Sequence, residues 1–314
     1  MTYTRFESIG AYLPSTEKPT RELVAQMEYE PPFDLQRITG ITNRRVGDSR
    51  PDTYEDSFAL ALRAAEDCLS RSRYDAGGLD VIISSSITRS KERDRFYFEP
   101  SFAHMLARVL GADSAIHFDV SNACAGMLTG VTVLDRMVKA GIVRNGLVVS
   151  GERITVITET AVKEICEPYD SQFGSLTVGD SAAAVVLDES TSEADRIDYA
   201  ELMTCAEYSH LCIGMPSDKN QGIALYTDNH QMHKKERLAL CPTSTGSSSP
   251  SAAGPSPRRA TTSSSTTRSA RASSRRYPEP VSGSSTRPCP SRWRWSTGTA
   301  TPRPRRTSWS CTST

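Results

Sequence analysis

Apolar positions in the first 190 residues follow two spacings, and each predicts a different element. Pro14, Ser15, Thr16 and Pro19 break the chain early, and a helix starts near Thr20 and runs through Leu23, Val24 and Met27. Ile38-Thr39-Gly40-Ile41 followed by Arg44-Arg45 reads as a turn into a short strand. Leu60, Ala64, Ala65, Cys68 and Leu69 share one helical face, and Asp52 and Thr53 are placed to cap that helix, which ends near Ser70. After Gly77-Gly78, residues 79–83 read as a short apolar strand of the kind buried on both faces of a parallel sheet. A charged connection from Arg89 to Arg95 leads to a helix over 101–110. Residues 116–120 predict the next strand, and Met127, Val131, Leu134, Met137 and Val138 stripe the helix after it, which Gly141 caps. Leu147-Val148-Val149 returns to the sheet, and Gly179-Asp180 precedes a last apolar run at 182–187.

Strands alternate with helices across short joins, which predicts an α/β fold around a central, mostly parallel sheet. Residues 1–190 read as one unit. The signals weaken over 191–240, where Leu202-Met203, Leu211 and Ile223-Ala224-Leu225 mark the start of a second.

Charge separates the remainder. Residues 1–240 carry 25 Lys+Arg against 36 Asp+Glu, whereas 241–314 carry 12 Arg, no Lys and one acid, Glu279. The overall neutrality is a cancellation and says nothing about partners. Residues 241–314 hold 20 Ser, 13 Thr, 12 Arg and 10 Pro, with no Leu, Ile, Phe or Met. So little apolar surface does not offset the entropy of ordering, so a disordered tail is expected. An Arg-rich tail could bind nucleic acid through phosphates, but nothing upstream suggests it. A shifted reading frame accounts for the composition better, because GC-rich coding DNA read out of register yields Ser, Thr, Arg and Pro. No signal peptide opens the chain, no run approaches the roughly 20 apolar residues of a membrane span, and a cytoplasmic protein is expected. Eight cysteines, at 68, 124, 166, 205, 212, 241, 289 and 311, show neither a CxxC pair nor metal-ligand spacing. Reduced thiols and no metal are expected.

Cys124 is the candidate for chemistry. It stands between a strand and a helix, where unpaired backbone N–H groups and the helix dipole favour a thiolate. Ala123, Ala125 and Gly126 around it leave room for a substrate. The bland alternative is a buried structural cysteine.

The run Asp119-Val120-Ser121-Asn122-Ala123-Cys124-Ala125-Gly126 resembles the nucleophile motif of the β-ketoacyl-(acyl carrier protein) synthase III family. Ile9-Gly10-Ala11-Tyr12-Leu13-Pro14, Thr39-Gly40-Ile41 with Arg44-Arg45, Val148-Val149-Ser150-Gly151-Glu152 and Val178-Gly179-Asp180-Ser181-Ala182 follow in the family's order. The resemblance covers roughly residues 5–240. It implies a thiolase-like fold of two similar βαβαβ halves in five layers, with the second half incomplete here. It implies an acyltransferase that forms an acyl-thioester on Cys124, whose backbone N–H joins the oxyanion hole, and condenses it with a malonyl thioester in fatty acid or polyketide biosynthesis. A relative that makes an ester or amide without decarboxylation, and a catalytically incomplete frameshifted product, are the alternatives.

The resemblance also implies acyl-coenzyme A or acyl carrier protein thioesters as substrates with no permanently bound cofactor, an acyl carrier protein partner and a homodimer. The family's adenine clamp, a Trp and an Arg, falls at Asp34 and Val156, which cannot form it. The longer, more charged connection at 89–98 reads as a solvated loop or a docking surface for an acidic carrier protein. The catalytic His and Asn expected from the second half are absent from the tail as it stands. In a shifted frame, residues 297–304 permit Asp-Arg-Tyr-Gly-Asn-Thr-Ala-Ser, with the Asn at the position of Thr301, and Thr266 and Thr267 each permit a His.

Overall fold

The apolar runs at 79–83, 116–120, 147–149 and 182–187 become four neighbouring strands of one sheet. The computed structural model describes residues 2–234, apart from 94, 201, 203–205, 220, 221 and 233. The tail at 241–314, with its expected disorder and its shifted-frame motifs, lies outside the described residues.

In chain order the strands and α-helices are β1 (Tyr3–Tyr12), β2 (Thr16–Pro19), α1 (Thr20–Val24), α2 (Leu35–Thr39), β3 (Asn43–Val46), α3 (Ser57–Ser70) and β4 (Val81–Ser84). They continue through β5 (Ser90–Lys91), β6 (Arg95–Phe96), α4 (Phe102–Leu110), β7 (Ile116–Asp119), α5 (Gly126–Lys139), β8 (Asn145–Glu152), α6 (Thr155–Glu164), β9 (Ser181–Ser190), β10 (Cys212–Pro216) and β11 (Ile223–Thr227). The main sheet has the order β1-β9-β8-β4-β7. β4 pairs in parallel with β7 and β8, whereas β9 runs antiparallel to both β8 and β1. The sheet is therefore mixed: β1, β4, β7 and β8 share one direction, as the mostly parallel expectation has it, and β9 alone is reversed. An apolar run such as 182–187 signals burial on both faces and carries no information about strand direction.

Side chains alternate between two cores, as strand periodicity requires. Ile82, Leu147, Val149, Ala184 and Val186 face α3 and α4 on one side. Val81, Ile83, Val148, Val185 and Leu187 face Val131, Leu134 and Val138 of α5 on the other. Leu60, Ile82, Leu134 and Leu147 have no exposed surface, and each such side chain contributes roughly 1.5–3 kcal/mol on burial. A smaller cluster joins Leu23 and Leu35 to Ala161, Ile165 and Leu176 beside α6.

Local signals decide the helix ends. Ser101 caps α4 by accepting from the His104 N–H at 3.2 Å. Asp119, at the end of β7, accepts from the Phe102 and Ala103 N–H groups, both at 2.9 Å, so α4 is anchored to the strand that leads to Cys124. The cap of α3 is Asp56, which accepts from Ala59 N–H at 2.9 Å. Asp52 and Thr53 lie before it in a turn, where the Thr53 hydroxyl bonds Asp48 at 2.6 Å. The cap lies three or four residues later than the sequence suggested, because several capping residues compete over this stretch. Gly40 ends α2 in the left-handed conformation, at φ 72°, as the turn reading required.

In the 191–240 stretch β10 and β11 form an antiparallel hairpin. It docks on the turn before β9, with Thr227 N–H on the Ser171 carbonyl at 2.8 Å and the Ser175 hydroxyl on the Leu225 carbonyl at 3.3 Å. Among the described residues no helix is long and apolar enough to cross a membrane.

Candidate active site

Strands β4, β7 and β8 run parallel and end together, and Cys124 follows the end of β7. The chain leaves β7 with the Val120 N–H on the Ser84 carbonyl at 2.8 Å. It turns through a short 3-10 segment, Ala123–Ala125, before α5 begins at Gly126. Ala123 holds φ at 43°, a left-handed value that costs a residue with a Cβ about 1–2 kcal/mol. The residue before the thiol is thus strained, and the turn is braced from both sides. Asn122 Nδ2 donates to Thr129 Oγ1 at 2.8 Å, and Thr129 Oγ1 donates to the Ala125 carbonyl at 2.9 Å.

Two glycines seat α5 on the sheet. A Cβ on Gly126 would stand 3.2 Å from the Ser85 carbonyl oxygen, and one on Gly130 would stand 2.6 Å from Val148 Cγ1. Only glycine at 130 allows the helix this close to β8, and that depth fixes where Cys124 projects. No side chain caps α5, and its first turn carries no acidic residue. The positive end of the helix therefore faces the turn that holds Cys124.

Cys124 is exposed, together with residues 121–123 and 125, so the buried structural alternative does not hold. Leu128, one turn into α5, is 65% exposed. Cys68, in contrast, is buried beside the Ser8 hydroxyl, and burial pushes its thiol up from the ordinary range. Cys212 on β10 shares the field of Cys124. Burial pushes the Cys212 thiol up, and the Cys124 sulfur adds to the shift. The sequence did not single out Cys212, because the hairpin that brings it near has only weak strand signals.

Glu152 closes β8 at the same end of the sheet. Its carboxylate accepts from Ile87 N–H at 2.7 Å, Thr88 N–H at 2.9 Å, the Thr88 hydroxyl at 2.5 Å and the Ser150 hydroxyl at 3.1 Å. Burial pushes its pKa up against the pull of these donors. The carboxylate thereby ties down the segment that follows Ser85, whose backbone lies against Gly126.

Asp34 and Val156, at the places of the adenine clamp, occupy structural roles. Asp34 caps α2 by accepting from Arg37 N–H at 3.1 Å, and the Val156 carbonyl accepts from the Thr160 hydroxyl at 3.1 Å inside α6. The expected His and Asn lie outside the described residues.

The family model for 3-oxoacyl-[acyl-carrier-protein (ACP)] synthase III matches residues 118–205, a segment that starts in β7 and includes Cys124. The segment around Cys124 is thus similar to the 3-oxoacyl-[acyl-carrier-protein] synthase III family. The chain is also similar to beta-ketoacyl-[acyl-carrier-protein] synthase III of Pectobacterium atrosepticum, 29% identical over 219 residues, 69% of this chain and 62% of that protein. The synthase III of Aliarcobacter butzleri is 26% identical over 202 residues, 63% of this chain and 54% of that protein. The match thus spans between half and two thirds of these relatives' length.

The fold is thiolase-like. The crystal structure of Xanthomonas campestris OleA with bound lauric acid and lauroyl-CoA superposes with a TM-score of 0.64 at 21% identity, covering 77% of this chain and 72% of OleA. The priming beta-ketosynthase of the R1128 polyketide pathway gives a TM-score of 0.57 at 22% identity, over 76% of this chain and 67% of that one.

Proposed function

We propose that this chain is an acyltransferase of the synthase III type in which Cys124 accepts an acyl group from a coenzyme A or acyl carrier protein thioester. The observation that carries the reading is the exposed Cys124 on a braced strand–helix turn, within the segment that the family model matches. The sulfur attacks the thioester carbonyl, a tetrahedral oxyanion forms, and expulsion of the donor thiol leaves the acyl group on Cys124. The Cys124 backbone N–H serves that oxyanion, since donors that already point at the developing charge need no reorganisation. The acyl group then condenses with a malonyl thioester in fatty acid or polyketide biosynthesis. That second step draws on the His and Asn assigned to the second half, and residues 191–240 are the start of that half.

The reading includes a cytoplasmic homodimer that works with an acyl carrier protein and holds no cofactor permanently. β7 stands at the edge of the main sheet, with Ile116 49% exposed, and an unpaired edge is a place where a second copy adds. The β5–β6 hairpin carries Lys91, Arg93 and Arg95 with Phe96 and Phe98, the latter 82% exposed. That combination suits an acidic partner.

A second reading follows from the composition of residues 241–314. In it the chain is a frameshifted product that acylates and never condenses. Incubation of the full chain with acyl-coenzyme A and malonyl-acyl carrier protein separates the two. Carbon dioxide and a ketoacyl product establish condensation, and an acyl adduct with neither establishes the incomplete product. Transfer to an added alcohol or amine without carbon dioxide assigns the ester- or amide-forming relative, and absence of any adduct overturns all three.

A further inference from the structure

A cavity of about 310 Å³ lies between the β2–β3 hairpin and α6. Arg44 of β3 lines it with a side chain that is almost fully buried, the residue being 6% exposed. Its guanidinium meets only neutral acceptors. Nη1 donates to the carbonyls of Leu176 and Val178, and Nη2 donates to the Thr20 hydroxyl at 2.9 Å. Nε is buried with no hydrogen-bond partner among the described residues. Burial pushes this guanidinium down from its ordinary pKa, and no neighbouring charge offsets the shift. Burying a cation without a counter-charge is unfavourable by several kcal/mol in order of magnitude. A protein retains such a group where something else supplies the negative charge.

The rest of the lining points the same way. Lys18 from β2 and Lys163 from α6 bring two more cations, against one carboxylate, Glu159. Three positive groups and one negative leave a surplus of two charges, which matches a phosphate group carrying about −1.5 to −2 at neutral pH. Leu23 and Val162 form an apolar wall beside them, suited to the organic part of a ligand.

We infer that this cavity binds a phosphate-bearing small molecule, with the phosphate held among Lys18, Lys163 and the buried Arg44. The site does not involve Cys124, and the inference stands whether or not the condensing reading does. A free phosphate and the phosphates of a nucleotide thioester present the same chemistry here.

The test measures thermal unfolding of the full chain in sodium phosphate against sodium chloride at matched ionic strength, with coenzyme A and pantetheine as parallel arms. Phosphate raises Tm beyond chloride, and K18A/K163A weakens phosphate binding at least tenfold while the unliganded Tm holds. R44Q abolishes the phosphate-dependent shift, yet leaves the unliganded protein as stable or more so, because it removes the unpaired buried charge. Should R44Q fail to fold, the double lysine variant decides. A larger shift with coenzyme A than with phosphate names the nucleotide as the source, whereas a shift with phosphate alone names the free ion. Stabilisation by phosphate no greater than by chloride overturns the inference. So does unchanged phosphate binding by K18A/K163A, or a pantetheine effect equal to that of coenzyme A.

Discussion

Replacing Asp180 with alanine removes a junction that joins three parts of the fold. Asp180 is 1% exposed. Its Oδ2 accepts from Gly47 N–H and from the Thr155 hydroxyl, and Oδ1 accepts from Thr155 N–H, all at 2.8 Å. Ile154 at the start of α6 offers no side-chain cap, so Asp180 caps that helix from a distance and ties it to the end of β3. D180A leaves three donors in the interior without an acceptor. Each orphaned donor costs about 1–3 kcal/mol. Allowing for water entering the space, the total is about 3 kcal/mol, which lowers Tm by roughly 6–12 °C for a domain of this size. D180N should cost about half as much. Its amide oxygen keeps the two bonds at Oδ2, and its NH2 group opposes only Thr155 N–H. Urea unfolding of the three proteins in parallel measures both differences. D180A within about 0.5 kcal/mol of the parent, the range of ordinary surface changes, refutes the capping account, and so does D180N below D180A in stability.

The remaining expectations concern the site and its supports. G130A forces α5 off β8, because its Cβ would meet Val148 Cγ1 at 2.6 Å. It should cost about 1–3 kcal/mol in urea unfolding, and parent-like stability would contradict the seating of α5. Burial raises the pKa of Glu152, so the native state binds more protons than the unfolded chain just above pH ~4.3, the ordinary glutamate value. The contribution of Glu152 to stability is therefore fully present below that pH and is lost as pH rises toward its raised native value. Urea unfolding of E152Q against the parent across pH 4–7 should show the parent's relative stability falling with pH, and a rise would reverse the sign of the argument. Brief iodoacetamide treatment of the native protein, followed by peptide mapping, should alkylate Cys124 well before Cys68, which is buried with its thiol pushed up. Equal labelling would mean that the Cys68 environment is open.

Much of the sheet and both of its helical faces were legible because their burial is periodic. The stripe of Met127, Val131, Leu134 and Val138 and the run at 79–83 each fit one spacing only. β1 was not legible as a strand. Its buried positions include Thr4, Ser8 and Gly10, small or polar residues that carry no hydrophobic signal. Ser8 and Gly10 are small because α3 packs on them, and a Cβ on Gly10 would stand 2.2 Å from Cys68 N, whereas Thr4 faces α5, its hydroxyl on the Asp135 carbonyl at 3.5 Å. The reversal of β9 was hidden for a related reason, since Ala182 through Leu187 records burial and not direction. Cys124 was legible through the small residues around it and its place between a strand and a helix. The strain at Ala123 and the tether at Glu152 were not, because both depend on contacts across the chain. Arg44 read as part of a turn motif, and nothing in the letters showed that it would be buried without a counter-charge.

The central claim is that Cys124 accepts the acyl group, and intact-protein mass spectrometry tests it most directly. The full chain and its C124A variant are incubated with an acyl-coenzyme A, and the adduct is then located by peptide mapping under mildly acidic conditions that preserve thioesters. The account predicts a single added acyl mass on the peptide that contains Cys124, released by hydroxylamine and absent from C124A. An adduct that persists in C124A, or maps to Cys212, would contradict it.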